Sequence, residues 1–338
     1  MSITGGGTRR RFLAQLGATA GALALPGALF RPRPAAAASP IASPGASPIA
    51  SPGAPPVARG ARPKLHFVFY TDCHTRIEFD TPRALDMAGG AIRRESPEIV
   101  IGGGDFITDG FQNHADFVAP RWDAYLKFHH ALGAENFPAI GNHDLVAANP
   151  EDGRPAAADP RAVYRARLGL ARTYYAFDAG GYHFVVLDPM EVVGGDLQYR
   201  GFVDAAQLDW LRDDLSRLAP GTAVIAVTHM PLATAFYQVT EGNEAEMPAN
   251  RVVVNNRDVL DAFAGHNLIL VLQGHLHVLE SLKWRSTHFV TGGAICGKWW
   301  RGSWHGTPEG FCVFDLDGDD VRWRYVTYGW QAQRPVDQ

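Results

Sequence analysis

Five short apolar runs in this chain each stop at a polar cluster able to hold a metal ion or move a proton. The clusters are Thr71-Asp72-Cys73-His74, Gly104-Asp105, Gly141-Asn142-His143-Asp144, Thr228-His229 and Gly274-His275-Leu276-His277. They offer the carboxylates of Asp72 and Asp105, the amide of Asn142 and the imidazoles of His74, His143, His229, His275 and His277. Imidazole and carboxylate in one set suit Zn, Fe, Mn, Co or Ni. The set exceeds what one ion needs, whereas two ions sharing a bridging carboxylate would use nearly all of it. A pair of ions in that arrangement clamps a phosphoryl centre and makes hydroxide at neutral pH.

The elements that must position these residues follow from hydrophobic patterning. Apolar, β-rich runs at 65–70, 98–101, 137–140, 223–227 and 268–272 precede the five clusters. Helical stretches are expected over about 82–94, 116–132 and 205–218, with another short helix before 268. Residues 174–177 and 183–187 read as a hairpin turning at Gly180-Gly181. The runs at 289–291, 311–314 and 321–326 alternate like antiparallel strands. Strands alternating with helices give an α/β core whose sheets are covered by helices. Sites in open α/β sheets form outside the carboxyl ends of the strands, so residues as distant as 72 and 277 can share one pocket.

The five blocks, in this order and spacing over roughly residues 65 to 280, resemble the signature blocks of calcineurin-like metallophosphoesterases. The stretch Gly292–Trp300 with Gly306–Phe311 is similar to the C-terminal region of a bacterial branch of that family. The resemblance implies a two-sheet α/β sandwich with helices on the outer faces and an antiparallel C-terminal β region. It implies that Asp72, His74 and His277 hold one metal, that Asn142, His229 and His275 hold a second, and that Asp105 bridges them. It further implies that His143 faces the substrate, protonating the leaving oxygen or stabilising charge, and that Asp144 orients His143. The implied function is metal-dependent hydrolysis of a phosphomonoester or phosphodiester by a metal-bridging hydroxide, acting on a small phosphate-ester substrate. The purple acid phosphatases of the family carry a tyrosine three places after the bridging aspartate. Thr108 stands there, so a tyrosinate-bound ferric site is not expected. Asp109 lies one place later than the family's usual acidic or amide residue. A non-catalytic metal-binding or scaffold protein on this fold is the rival reading, and the complete ligand set with His143 favours the enzyme.

Other chemistry-bearing residues have plainer readings. His66, His114, His129, His130, His183, His266 and His288 lie off the strand ends and read as surface or packing histidines. Cys73 falls between two ligands, but strand alternation turns it to the opposite face. Asp188 ends a strand and is either a turn residue or a support for the site. Asp317-Gly318-Asp319-Asp320 resembles a calcium loop only superficially and reads instead as a hairpin turn. Cys296 and Cys312 are either a disulfide or two buried thiols, since three cysteines leave at least one thiol free. Trp299, Trp300 and Arg301 sit in a glycine-rich stretch and are either part of an aromatic core or a loop over the pocket, where they would stack on an organic group and pair with a phosphate oxygen.

The chain has 338 residues, 46% hydrophobic and 20% charged, the balance of a soluble globular protein. Residues 1–38 place Arg9-Arg10-Arg11-Phe12-Leu13 before a weakly apolar Gly/Ala stretch and an alanine run. That order reads as a twin-arginine signal, which makes the translocase of that route a partner and the location exported. The apolar run is interrupted by Pro26 and is too short for a stable membrane span. Residues 39–62 form a Ser/Pro/Ala/Gly-rich tether that cannot bury enough surface to order itself. Residues 63–330 are the expected catalytic domain. Without the leader, 26 basic residues face 35 acidic ones, so no nucleic-acid duplex binding is expected.

Overall fold

In the computed structural model, which describes residues 62–336, the strands that precede the five clusters lie side by side and end level with one another. The chain runs β1 (Lys64–Tyr70), α1 (Thr81–Glu95), β2 (Ile99–Gly102), α2 (Ala115–His130), β3 (Glu135–Pro138), α3 (Ala162–Leu168), β4 (Tyr175–Ala179) and β5 (Tyr182–Val186). It continues through β6 (Met190–Gly194), β7 (Gln198–Gly201), α4 (Ala205–Leu215), β8 (Ala223–Val227), α5 (Phe236–Thr240), α6 (Asn256–Ala262) and β9 (Asn267–Gln273). It closes with β10 (Leu279–Trp284), β11 (Thr287–Gly292), β12 (Gly310–Asp317) and β13 (Asp320–Thr327).

One sheet has the order β13-β12-β1-β2-β3 and the other β10-β11-β9-β8-β5-β4. Strands β1, β2 and β3 are parallel, with Tyr70 opposite Gly102 and Gly102 opposite Pro138. Strands β5, β8, β9 and β11 are parallel as well, with Val186 opposite Val227 and Val227 opposite Leu272. This register sets Asp72, Asp105, Asn142, His229 and His275 a few residues beyond a common edge.

Alternation along each strand feeds two cores. Phe67 and Phe69 of β1 face the second sheet with Phe184, Ile225 and Leu272, while Val68 and Tyr70 face the helices with Leu85, Ile92 and Tyr125. Both faces are apolar because both are covered, which is why these strands read as continuous apolar runs. Within each sheet Phe67 stacks on its cross-strand partner Phe314 at 4.9 Å and Phe177 on Phe184 at 4.8 Å, and Phe67 meets Phe184 edge-on across the sheets at 5.9 Å. Each such ring contributes roughly 1.5–3 kcal/mol of burial. Helices α1 and α2 pack together on one side, and α4 against α6 on the other.

The α/β sandwich is as the residues imply, with one difference in pairing. The C-terminal run is not all antiparallel: β11 lies parallel to β9 in the second sheet, while β12 and β13 extend the first sheet antiparallel to β1. The β4–β5 hairpin turns at Gly180-Gly181, and Asp317 pairs with Asp320 across the turn at Gly318. The chain remains engaged past residue 330, since the Val336 N–H donates to the Arg301 carbonyl at 3.0 Å. No helix among the described residues is long and apolar enough to cross a membrane. The leader, including Arg9 and Arg10, and all of the tether except Arg62 lie outside the described residues.

Candidate metal centre

The strand ends turn inward through an unusual backbone. Asp72, His74, Asp105, His275 and His277 all have positive φ, between 39° and 71°. Non-glycine residues reach that region at a cost of order 1–3 kcal/mol each, and such residues cluster at functional sites. Two glycines allow the close approach this needs. A Cβ on Gly141 would stand 2.2 Å from Asp105 Oδ1, and one on Gly274 would stand 2.2 Å from Thr71 Oγ1 and 2.7 Å from Asp72 Oδ2.

Buried donor atoms then converge in two overlapping sets. In the first, His74 Nε2 lies 3.0 Å from His277 Nε2, 3.8 Å from Asp72 Oδ1 and 3.5 Å from Asp105 Oδ2, and His277 Nε2 lies 3.2 Å from Asp72 Oδ1. In the second, His229 Nε2 lies 3.1 Å from Asp105 Oδ2 and 3.2 Å from His275 Nδ1. Asp105 Oδ2 therefore belongs to both sets, while Asp105 Oδ1 accepts the His143 backbone N–H at 2.7 Å. Asp72 Oδ1 and Asn142 Oδ1 are buried with no hydrogen-bond partner. Donor atoms around a first-row ion at roughly 2.1 Å stand roughly 3.0–3.4 Å apart. The measured separations fall at or just beyond that range, so the residues fit the metal ions their chemistry implies.

Backbone carbonyls fix which nitrogen faces inward. His229 Nδ1 meets the Gly103 carbonyl at 2.8 Å, His277 Nδ1 that of Gly297 at 2.6 Å, and His275 Nε2 that of Asn250 at 3.0 Å. Each carbonyl needs an N–H, which leaves the opposite nitrogen's lone pair for the site. Burial disfavours charge on Asp105, but His229 and His143 outweigh it and hold the carboxyl well below its usual range. Burial likewise opposes charge on His229, yet Asp105 and Asp72 push that imidazole up to about 9, so an incoming cation would displace a proton from Nε2 to reach its lone pair.

His143 stands edge-on to His74 with ring centroids 4.6 Å apart, and one of its nitrogens shares a potential ligand group with His74 and Asp105. Its Nδ1 accepts the backbone N–H of Asp109 at 3.3 Å. The neutral ring therefore carries its proton on Nε2. Asp109, whose position departs from the family pattern, thus reaches His143 through its backbone. Asp144 does not touch that ring. Its carboxylate accepts the N–H groups of Phe106 at 2.8 Å, Ile107 at 3.3 Å and Gly141 at 2.9 Å, so it orients the Asp105 and Asn142 loops, not the imidazole.

The glycine-rich loop divides. Trp299 reaches the site, its ring 4.6 Å from that of His277. Trp300 does not offer a stacking face: it is 2% exposed, and its Nε1 donates to the His74 carbonyl at 2.9 Å. Arg301 is exposed at the loop's outer edge. Cys73 packs in the helix-side core. No disulfide joins Cys296 to Cys312; both are buried thiols, and Cys296 Sγ lies 3.7 Å from His277 Nδ1. Asp188 is a structural hub away from the ligand clusters, accepting from Arg161 at 2.6 Å and from Thr173 and Met190. An adjoining cavity of about 460 Å³ runs from His275 along Phe236, Tyr237, Arg251, Trp299 and Trp304. Nothing in the sequence marks Arg251, Phe236 or Tyr237 as part of this wall, because they come from a connection without apolar periodicity.

The model of the calcineurin-like phosphoesterase family matches residues 65–279, more than half of the chain. Purple acid phosphatase 23 of Arabidopsis thaliana is 26% identical over 171 residues, 48% of this chain and 33% of that protein. A probable cyclic nucleotide phosphodiesterase of Rhodococcus erythropolis is 26% identical over 232 residues, 64% of this chain and 66% of that protein. The chain thus spans a third of the plant relative's length and just under two thirds of the bacterial one's. Among solved structures, a dimetal phosphatase from Danio rerio aligns with TM-score 0.56 at 17% identity, covering 78% of this chain and 99% of that one.

Proposed function

The chain belongs to the calcineurin-like phosphoesterase family, and from that premise we propose that it is an exported hydrolase of phosphomonoesters or phosphodiesters that uses two divalent ions of the Mn, Fe, Zn, Co or Ni kind. The observation that carries this is Asp105, whose Oδ2 stands 3.5 Å from His74 and 3.1 Å from His229 and so joins two ligand sets. Asp72, His74 and His277 would hold one ion, Asn142, His229 and His275 the other, with Asp105 between them. Ions held there supply charge that polarises the phosphoryl oxygens and lowers the pKa of a water.

The chain's own residues do the rest. His143 presents Nε2–H to the ester, where the neutral ring hydrogen-bonds the leaving or phosphoryl oxygen and stabilises its charge, while the Asp109 N–H keeps its tautomer fixed. The aromatic cavity beyond His275 seats the organic part of the ester, with Trp299 as the shared wall. Thr108, buried beside Asp109, cannot supply a tyrosinate, so the iron-loaded protein should be colourless where purple acid phosphatases are not.

Turnover of p-nitrophenyl phosphate and of its bis-ester, with Mn²⁺ added, tests the reading. Hydrolysis of either supports it, and inactivity with every one of the five metals favours the non-catalytic scaffold. Export is tested separately: replacing Arg9 and Arg10 with lysine should trap unprocessed protein inside the cell, and normal secretion would remove the twin-arginine assignment.

A further inference from the structure

Trp299 also lines a second cavity of about 490 Å³, together with Arg76, Phe79, Lys298, Trp300, Arg301 and Arg334. Among the described residues its lining holds four cations and no acid. The chain as a whole is acidic, at −4, so a concave concentration of positive charge is not a consequence of composition. Like charges gathered in a recess repel one another, and an anion entering it relieves that repulsion.

Among the described residues, three of the four cationic groups make only weak contacts. Arg334 lies over the Phe79 ring at 4.7 Å and Lys298 over Trp304 at 4.5 Å. Arg76 reaches Thr108 Oγ1 at 3.4 Å, and its Nε is buried with no partner among the described residues. A buried guanidinium N–H without an acceptor calls for one. The walls are also held in place. Trp299 and Trp300 have φ of 47° and 66°, and the Arg301 carbonyl accepts Val336 N–H at 3.0 Å, fastening the C-terminal segment that brings Arg334.

One wall of the pocket, Trp299, also borders the metal centre, its ring 4.6 Å from that of His277. Arg76 follows His74 by two residues and touches Thr108, whose neighbour Asp109 bonds His143. We propose that this pocket binds a second phosphate group, so that the substrate is a phosphate ester bearing another phosphate remote from the one cleaved. This rests on the phosphoesterase reading and narrows its substrate class. Arginine forks match phosphate oxygens two at a time, which lets Arg76, Arg301 and Arg334 converge on one dianion while Lys298 adds charge.

The test compares an alkanediol bisphosphate with the alkyl monophosphate of equal chain length, using the Mn-loaded enzyme and its Arg301→Ala/Arg334→Ala variant. Wild type should favour the bisphosphate by about tenfold or more in kcat/KM, the worth of one charged contact, and the variant should bring the ratio near one. No preference in wild type, or an undiminished one in the variant, overturns the proposal. If the pocket holds free inorganic phosphate instead, the variant will weaken phosphate inhibition of monoester turnover while wild type shows no bisphosphate preference. That result removes the substrate-borne assignment. If neither ester is hydrolysed, the phosphoesterase reading fails, and calorimetry with the matching bisphosphonate and monophosphonate still reads the pocket. Equal affinities there overturn it, whereas tighter bisphosphonate binding lost in the variant upholds it.

Discussion

Adding one methyl group at residue 274 should damage the metal centre without replacing a ligand. A Cβ on Gly274 falls 2.2 Å from Thr71 Oγ1 and 2.7 Å from Asp72 Oδ2, and both neighbours are fully buried. Neither can swing away into solvent. Asp72 Oδ2 accepts the Thr71 hydroxyl at 2.6 Å and the His275 N–H at 3.0 Å, so rotating it strains or breaks both bonds. Hydrogen bonds to charged groups contribute roughly 1.5–3 kcal/mol each, and overpacking costs roughly 1–3 kcal/mol. With partial relaxation, Gly274→Ala should lose about 2–4 kcal/mol of stability. Because those bonds orient Asp72, Mn²⁺ affinity should also fall about 10–100-fold. Gly90→Ala is the control. It lies within α1, where a Cβ meets only ordinary contacts at 3.6 Å, and the same methyl should stabilise by up to about 1 kcal/mol. Chemical denaturation in chelator gives the stability terms, and metal titration by calorimetry gives the affinities. Gly274→Ala matching wild type in both would refute the idea that this close approach positions Asp72.

Replacing His143 with alanine should leave metal content unchanged and slow turnover about 10²–10⁴-fold. If Nε2 protonates the leaving oxygen, alkyl esters should suffer far more than activated aryl esters; equal losses would assign it to charge stabilisation, and lost metal would make it a ligand. His183 gives a pH signature. Burial disfavours its charge, but hydrogen bonds to Asp178 and Asp214 at 2.8 Å outweigh this and raise its pKa from 6.5 to about 9. A raised folded-state pKa stabilises fully below the unfolded value and loses its effect as pH climbs through the folded one. Wild type should therefore exceed His183→Gln by roughly 1–2 kcal/mol at pH 6, allowing for exposed Asp178, with the gap closing above about pH 9. A gap independent of pH would show that the ion pairs contribute nothing.

The strand ends were legible because their physics is local. A covered sheet demands continuous apolar runs, so the polar residues that interrupt them stand out, and Asp72, Asp105, Asn142, His229 and His275 could be gathered from that interruption alone. The parallel register then places them level. What stayed hidden depends on three-dimensional approach between irregular segments. The loop around Trp300 reads as a possible lid, yet a single contact from its indole to the His74 carbonyl makes it a foundation. Cys296 gives no sequence hint of lying 3.7 Å from His277. Arg76 and Arg334 are 258 positions apart and lie in no shared pattern, yet line one recess. The short β6–β7 ribbon, exposed over Val192–Leu197, offers no buried face to generate periodicity. Asp144 reads as acting on its neighbour His143, but a carboxylate that ties backbone 3 and 38 residues away is indistinguishable in sequence from one that orients a ring.

Metal stoichiometry tied to turnover tests the central claim most directly. The metal-stripped enzyme should be titrated with Mn²⁺ while bound metal and p-nitrophenyl phosphate hydrolysis are measured on the same samples, for wild type and Asp105→Asn. The account predicts two ions per wild-type chain, full activity only when both are bound, and weakened binding of both in Asp105→Asn. Full activity at one ion per chain, or a variant that loses one ion and keeps the other at wild-type affinity, would contradict it.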